Sequence, residues 1–228
     1  MAGAAGWAIR DLVRVVLIPA KEATLAKKRL SSGFSSEQRQ RLARAMFLDV
    51  LGAAKAARRA ERVAVVTSDR ALLGLAEDAG AIVLDERFPR GLNAAVKFAT
   101  AHLAAAGALA VCTVLSDIPL TRAEDIDALF ETAPRDGRPG VVLVPSHERV
   151  GTNVILRQPP TVIRTRFGPN SLARHRDECR MTGIREQILQ LIHPALDLDY
   201  PEDIVAFAQI ASETHTLREL ARLGLARG

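Results

Sequence analysis

Asp197 and Asp199 stand two apart in Asp197-Leu198-Asp199-Tyr200-Pro201-Glu202-Asp203, after what reads as a further apolar strand. A third acid, Asp117, lies far upstream in Leu115-Ser116-Asp117-Ile118-Pro119-Leu120, where the apolar run Leu109–Leu115 gives out. Residues two apart in an extended segment project from the same face. Three carboxylates gathered at one sheet edge would repel one another unless a cation held them, and hard oxygens of this kind suit Mg²⁺ and a polyphosphate substrate. Helix capping is the other reading of Asp117. A basic cluster, Lys21, Lys27, Lys28 and Arg29, follows the strand-like run Val13–Ile18 and would meet the acids if both strands end at one edge.

No GxGxxG or Walker pattern accompanies Lys21 and Arg29, so phosphates would have to be neutralised by side chains. Lysine offers a point charge and arginine a bidentate fork, a combination suited to a nucleoside triphosphate whose leaving pyrophosphate gains charge. Gly151-Thr152-Asn153 and Phe167-Gly168-Pro169-Asn170-Ser171 supply small residues, hydroxyls and a potential helix start at Ser171, which together suit a second phosphate. A turn and a helix cap account for the same letters. His175, four residues after Ser171, shares its helix face and reads as structural. Asn93 in Gly91-Leu92-Asn93, and Ser68 and Asp69 in Thr67-Ser68-Asp69, each read as helix caps or as nucleotide contacts.

These residues need a frame that ends several strands together. Short β-branched runs at Val13–Ile18, Val63–Thr67, Ala81–Leu84, Leu109–Leu115, Val141–Val144 and Asn153–Leu156 alternate with helical stretches at Ser36–Ala57, Arg70–Ala79, Gly91–Ala106 and Arg122–Thr132. That alternation predicts an α/β fold with a central, mainly parallel sheet flanked by helices. Ser35 three before Gln38 fits a capping box. Pro201 fits the first position of a helix launched straight from the acid pair. The expected organisation is an extension over 1–12, a single domain over 13–211 and a partly helical tail over 212–228.

The 228 residues carry a formal net charge of +5, with only 4% aromatics, and no basic run is interleaved with aromatic residues. That argues against a base-stacking nucleic-acid binder. Cys112 and Cys179 lack the number and spacing of a disulfide framework or zinc site and read as packing residues in a reducing cytoplasm. The first residues have no basic head followed by an apolar stretch, and the most apolar segment, Leu103–Leu115, is too short to span a bilayer.

Taken in order, Ile18-Pro19-Ala20-Lys21, Ala26-Lys27-Lys28-Arg29-Leu30, Thr67-Ser68-Asp69, Gly91-Leu92-Asn93, Asp117-Ile118-Pro119-Leu120, Gly151-Thr152-Asn153, Phe167-Gly168-Pro169-Asn170-Ser171 and the Asp197–Asp203 segment resemble the 2-phospho-L-lactate guanylyltransferase family, with its phosphoenolpyruvate and 3-phosphoglycerate relatives. The match runs from about Val13 to Phe207. The resemblance implies a single-domain nucleotidyltransferase fold, GT-A-like and Rossmann-like, and a cytoplasmic enzyme that joins GMP from GTP to a phosphorylated three-carbon acid for coenzyme F(420). It implies that Asp117, Asp197 and Asp199 hold Mg²⁺, that Lys21 and Arg29 are triphosphate ligands with Asn93 near the guanine, that Lys27, Ser68 and Asp69 also bind the nucleotide, and that Thr152, Gly168 and Ser171 receive the acceptor's phosphate. Lys21, Arg29 and Asp117 are then the catalytic set. No nucleic acid or membrane is expected as a partner, and a homodimer is compatible with the resemblance. This chain departs from the family pattern at His147-Glu148-Arg149-Val150 before Gly151 and at Lys28; the first bears on which acid is accepted. Transfer to a sugar phosphate or a molybdenum-cofactor precursor, and a non-catalytic nucleotide-binding regulator, are the alternatives.

Overall fold

In the computed structural model, which describes residues 13–22, 30, 33–210 and 213–225, strand β1 (Val13–Pro19) is buried at every position but Arg14. Val15 and Leu17 face one apolar cluster and Val16 and Ile18 the other, so both faces of the strand are covered. A strand of this kind belongs at the centre of a parallel sheet. Around it lie β2 (Arg62–Thr67), β3 (Ile82–Asp85), β4 (Ala108–Val114), β5 (Gly140–Pro145), β6 (Thr152–Gln158) and β7 (Glu186–Ile188), in the order β3-β2-β1-β4-β6-β5-β7. Helices α1 (Ser36–Ala56), α2 (Arg70–Asp78) and α4 (Ala123–Thr132) cover one face, and α3 (Leu92–Ala105) and α5 (Ser171–Thr182) the other.

The expected elements are present with ends moved by a residue or two. Ser35 and Gln38 form the capping box that opens α1. Pro201 occupies the first turn of α6 (Pro201–Gln209). Two features differ from the sequence reading. β6 runs antiparallel to both of its neighbours, β4 and β5, while the other pairings are parallel. The segment before Asp197 holds the short, largely polar β7 and a 3-10 turn at His193–Ala195 in place of an apolar strand. Pro194 suits the start of such a turn, because proline fixes its own φ and has no N–H to place in a ladder.

A third apolar cluster sits beyond the carboxyl edge of the sheet. It joins Leu42 and Met46 of α1, Leu120, Leu198, Ile204 and Phe207 of α6, and Leu220 of α7 (His215–Arg222). The helix of the C-terminal tail is thus packed against the main body. Asp49 of α1 reinforces this by accepting hydrogen bonds from the backbone N–H groups of His215 and Thr216 at 2.7 and 2.9 Å and from the Thr216 hydroxyl at 2.6 Å. Truncating Leu198, the fully buried residue between the two aspartates, should lower the unfolding free energy by about 2–5 kcal/mol in urea titrations. The Val205→Ala control on the exposed side of α6 should stay within about 0.5 kcal/mol of wild type.

Candidate active site

Because Leu198 is buried in the third cluster, its neighbours in the extended chain turn the opposite way. Asp197 and Asp199 therefore face a cleft of about 690 Å³ whose wall also includes Asp117 and Lys21. The Leu198 N–H donates to the Asp117 carbonyl at 3.1 Å, which fixes the two acidic segments side by side. Asn153 clamps the approach to Asp197: its amide donates to the carbonyls of Pro194 and Ala195 at 3.0 and 2.9 Å and reaches the Asp197 carboxylate at 3.4 Å. Asp203 accepts from the N–H groups of Asp199 and Tyr200 at 2.9 and 2.7 Å, tying the acid pair to the start of α6. The sequence reading treated Asn153 as part of an anion-binding turn; here it is a brace for the acids.

Burial, followed by the charges of Asp117 and Asp199, raises the Asp197 pKa to about 6, with the Asn153 hydrogen bond acting in the other direction. Among the described residues, no set of three or more His, Cys, Asp or Glu side chains converges closely enough to hold a metal ion by itself. Mg²⁺ does not need such a cage, since it commonly binds through one or two carboxylates together with substrate phosphates and water. All-oxygen donors whose charges already repel across a half-buried cleft fit that ion.

The other end of the cleft is built by the reversed strand. Because β6 is antiparallel to β4, its first residue, Thr152, lies at the carboxyl edge near Asp117. Gly151 before it is required: a side chain there would come within 2.9 Å of the Ser146 hydroxyl, which accepts the Gly151 N–H at the same distance. Gly168 has φ +116°, a conformation that favours glycine. The Thr152 N–H donates to the Ser171 hydroxyl at 2.8 Å, joining the start of β6 to the first turn of α5. Thr152, Gly168 and Ser171 thus line the same cleft as the three aspartates.

An apolar slot of about 260 Å³ adjoins this cleft through Lys21 and is walled by Ala20, Pro89, Leu92 and Ala95, with Glu22, Ser68 and Glu86 as further polar groups. Glu86 escaped the sequence reading because it follows a short strand with no motif around it. Asp69 caps α2, its carboxylate accepting from the N–H groups of Ala71 and Leu72 at 2.9 and 3.3 Å. Asn93 lies inside α3, whose cap position is Gly91. Its amide pairs with the Phe167 backbone, donating to the carbonyl and accepting from the N–H at 2.9 Å each. Lys27, Lys28 and Arg29 lie outside the described residues.

The family model described as "Guanylyl transferase CofC like" matches residues 14–227. The phosphoenolpyruvate guanylyltransferase of Conexibacter woesei is 35% identical over 194 residues, covering 85% of this chain and 86% of its own. The 3-phospho-D-glycerate guanylyltransferase of Phenylobacterium zucineum is 37% identical over 188 residues (81% and 84%). For the 2-phospho-L-lactate guanylyltransferase of Methanothermobacter thermautotrophicus the identity is 32% over 207 residues (91% and 89%). Among solved structures, a protein from Desulfovibrio desulfuricans G20 named for nucleotide-diphospho-sugar transfer superposes with a TM-score of 0.74 at 17% identity, covering 94% of this chain and 96% of that one. A 4-diphosphocytidyl-2C-methyl-D-erythritol synthase superposes at 0.60 and 15% identity, covering 86% and 98%. Both support the nucleotidyltransferase-like fold.

The raised pKa of Asp197 has a signed consequence for stability. Its folded-state pKa of about 6 lies above the ordinary carboxylate range, so its contribution is fully present at acidic pH and is lost as pH rises through 6. The metal-free protein should lose roughly 2–3 kcal/mol from this group between about pH 4 and 7. The measurement is the difference in unfolding free energy between wild type and Asp197→Asn across that range.

Proposed function

Because the chain belongs to the CofC-like guanylyl transferase family, we propose that it transfers GMP from GTP to the phosphate of a three-carbon phospho-acid, releasing pyrophosphate, in coenzyme F(420) biosynthesis. The observation that carries this reading is the single cleft with carboxylates at one end and paired hydroxyls beside a Gly168 turn at the other. An acceptor phosphate held by Thr152, Gly168 and Ser171 would face an α-phosphate placed beside Lys21 and the aspartates. A phosphate oxygen of the acid attacks the α-phosphorus in line, the bond to the β-phosphate oxygen breaks, and a diphosphate joins the two parts of the product. The acceptor needs no strong base, since its second pKa is about 6. Positioning and electrostatic stabilisation then carry the rate.

Mg²⁺ held by one or two carboxylates of the set Asp117, Asp197 and Asp199, together with substrate phosphates and water, would offset charge on the phosphates. Lys21, Lys27 and Arg29 would share that task as triphosphate ligands. The apolar slot suits a flat base, and the Glu86 carboxylate there suits guanine, whose N1–H and N2–H₂ are both donors. Ser68 lies on the same wall. Asp69 and Asn93 contribute indirectly, by holding α2 and the Phe167 turn. No helix among the described residues is long and apolar enough to cross a membrane, in keeping with a cytoplasmic enzyme working on free metabolites.

Phosphoenolpyruvate, 2-phospho-L-lactate and 3-phospho-D-glycerate should be assayed side by side with GTP and Mg²⁺, with products identified by mass. At least one should yield a guanylylated acid and an equivalent of pyrophosphate, and silence with all three would refute the proposal. Asp117→Asn should lower kcat by about 10²-fold or more while the melting temperature changes little. Glu86→Gln should raise KM for GTP about tenfold and leave KM for the acid in place.

A further inference from the structure

His175 is fully buried in α5 and takes part in no step so far. Its Nε2 lies 2.7 Å from the backbone nitrogen of Arg166. An amide N–H can only donate, so Nε2 carries the lone pair and the ring proton sits on Nδ1. The ring is neutral: burial, then the positive charges of Arg157, Arg174 and Arg166, lower its pKa to about 4. Glu178, one turn along α5, is engaged by Arg166 at 2.6 Å.

In this tautomer Nδ1–H has two acceptors, the Thr152 hydroxyl oxygen at 3.1 Å and the Ser171 backbone carbonyl one turn back on α5, whose hydrogen bond acts to raise the His175 pKa against the larger effects of burial and the arginines. A hydroxyl that accepts from His175 cannot also donate to that nitrogen, so its own proton is directed elsewhere. Ser171 obeys the same logic, because its hydroxyl oxygen accepts the Thr152 N–H at 2.8 Å. Both residues line the cleft, each almost fully buried. Donors behind them convert the pair into donors in front, which matches a phosphate dianion, a ligand that only accepts.

We infer that His175 is a positioning residue for the acceptor phosphate: through Nδ1–H it holds the Thr152 hydroxyl as a donor into the cleft, while the bond that Nε2 accepts from Arg166 fixes the tautomer. The inference rests on the proposed acceptor site. The turn that carries Gly168 is held independently of His175 by Asn93, which takes both backbone polar groups of Phe167; the Phe167 ring itself stands edge-on to the imidazole with centroids 5.2 Å apart. His175 needs no contact with the substrate and no change of protonation during the reaction.

Two substitutions separate its two bonds. Glutamine reaches the Nε2 position, so His175→Gln can still accept from Arg166 but gives up the hydrogen bond to Thr152. Asparagine reaches only the Nδ1 position, so His175→Asn keeps the donor to Thr152 and gives up Arg166. Calorimetric titration with the phospho-acid and, separately, with GTP reads binding whether or not transfer occurs. His175→Gln should weaken acid binding about 10- to 100-fold and GTP binding by no more than about twofold. In a Thr152→Val background the same change should cost no more than about twofold, because the hydroxyl it orients is gone.

Equal losses for acid and GTP, or an undiminished penalty in the Thr152→Val background, would overturn the inference. If His175→Gln fails to fold, His175→Asn decides. Acid affinity within about threefold of wild type supports the assignment to Thr152, and a loss of tenfold or more refutes it. A wild type that binds the acid but transfers nothing would defeat the proposed reaction while leaving these binding comparisons to judge His175. A wild type that binds no phospho-acid would defeat both.

Discussion

The burial of Leu198 is the constraint on which the cleft depends. Asp197 and Asp199 face Asp117 because the residue between them is held in an apolar cluster with Leu42, Met46, Ile204 and Phe207. Raising the Asp197 pKa to about 6 corresponds to roughly 2–3 kcal/mol of unfavourable burial and, after it, repulsion from Asp117 and Asp199. Burying one leucine returns about 1.5–3 kcal/mol, so that contact alone barely matches the cost. The hydrogen bond from the Leu198 N–H to Asp117 and the Asn153 clamp add about 0.5–1.5 kcal/mol each and tip the balance. The acids are therefore strained but held, which is the state from which a bound cation would recover the most.

The second constraint is the reversal of β6. In a parallel strand Thr152 would begin at the amino edge, remote from Asp117. Running against β4, it starts at the carboxyl edge, and the register Val114↔Val154 sets Thr152 and Asn153 beside the end of β4. One dipeptide then serves both ends of the cleft. Thr152 turns to Ser171 and His175, while Asn153 turns to Pro194, Ala195 and Asp197.

Local signals made most of the frame legible. The capping box at Ser35, the proline opening α6 and the alternation of β-branched runs with helical stretches each act within a few residues, and each appears in the fold. Strand direction does not act that way. The letters of Asn153–Leu156 are equally β-forming in either sense, so the antiparallel β6 could not be read from them. β7 pairs with only three residues of β5 and carries polar letters, so it left no pattern. The site divides along the same line. The acids and hydroxyls stand in recognisable short motifs. The pairing of Asn93 with Phe167 spans 74 positions, and the role of His175 depends on a tautomer set by a backbone N–H nine residues away.

The two constraints bear on how one architecture can serve different acids, as the names of the relatives imply. Phosphate is common to all three acids, and the groups suited to it here are fixed from behind by buried or helix-bound partners. The carbon portions differ, and the cleft wall that departs from the family pattern, His147 to Val150, is a tight loop in which Arg149 adopts φ 59°. That loop is not isolated. The His147 N–H donates to Ala195 at 2.8 Å, two residues before Asp197 and on a carbonyl that Asn153 also uses. A change in the loop that altered which carbon skeleton fits would therefore pull on the strut that places the carboxylates. Were the loop to set acceptor choice, that choice and the geometry of the acids would be coupled through the Ala195 carbonyl, and substitutions that exchange one acid for another would fall in correlated sets spanning the loop and the 194–197 segment.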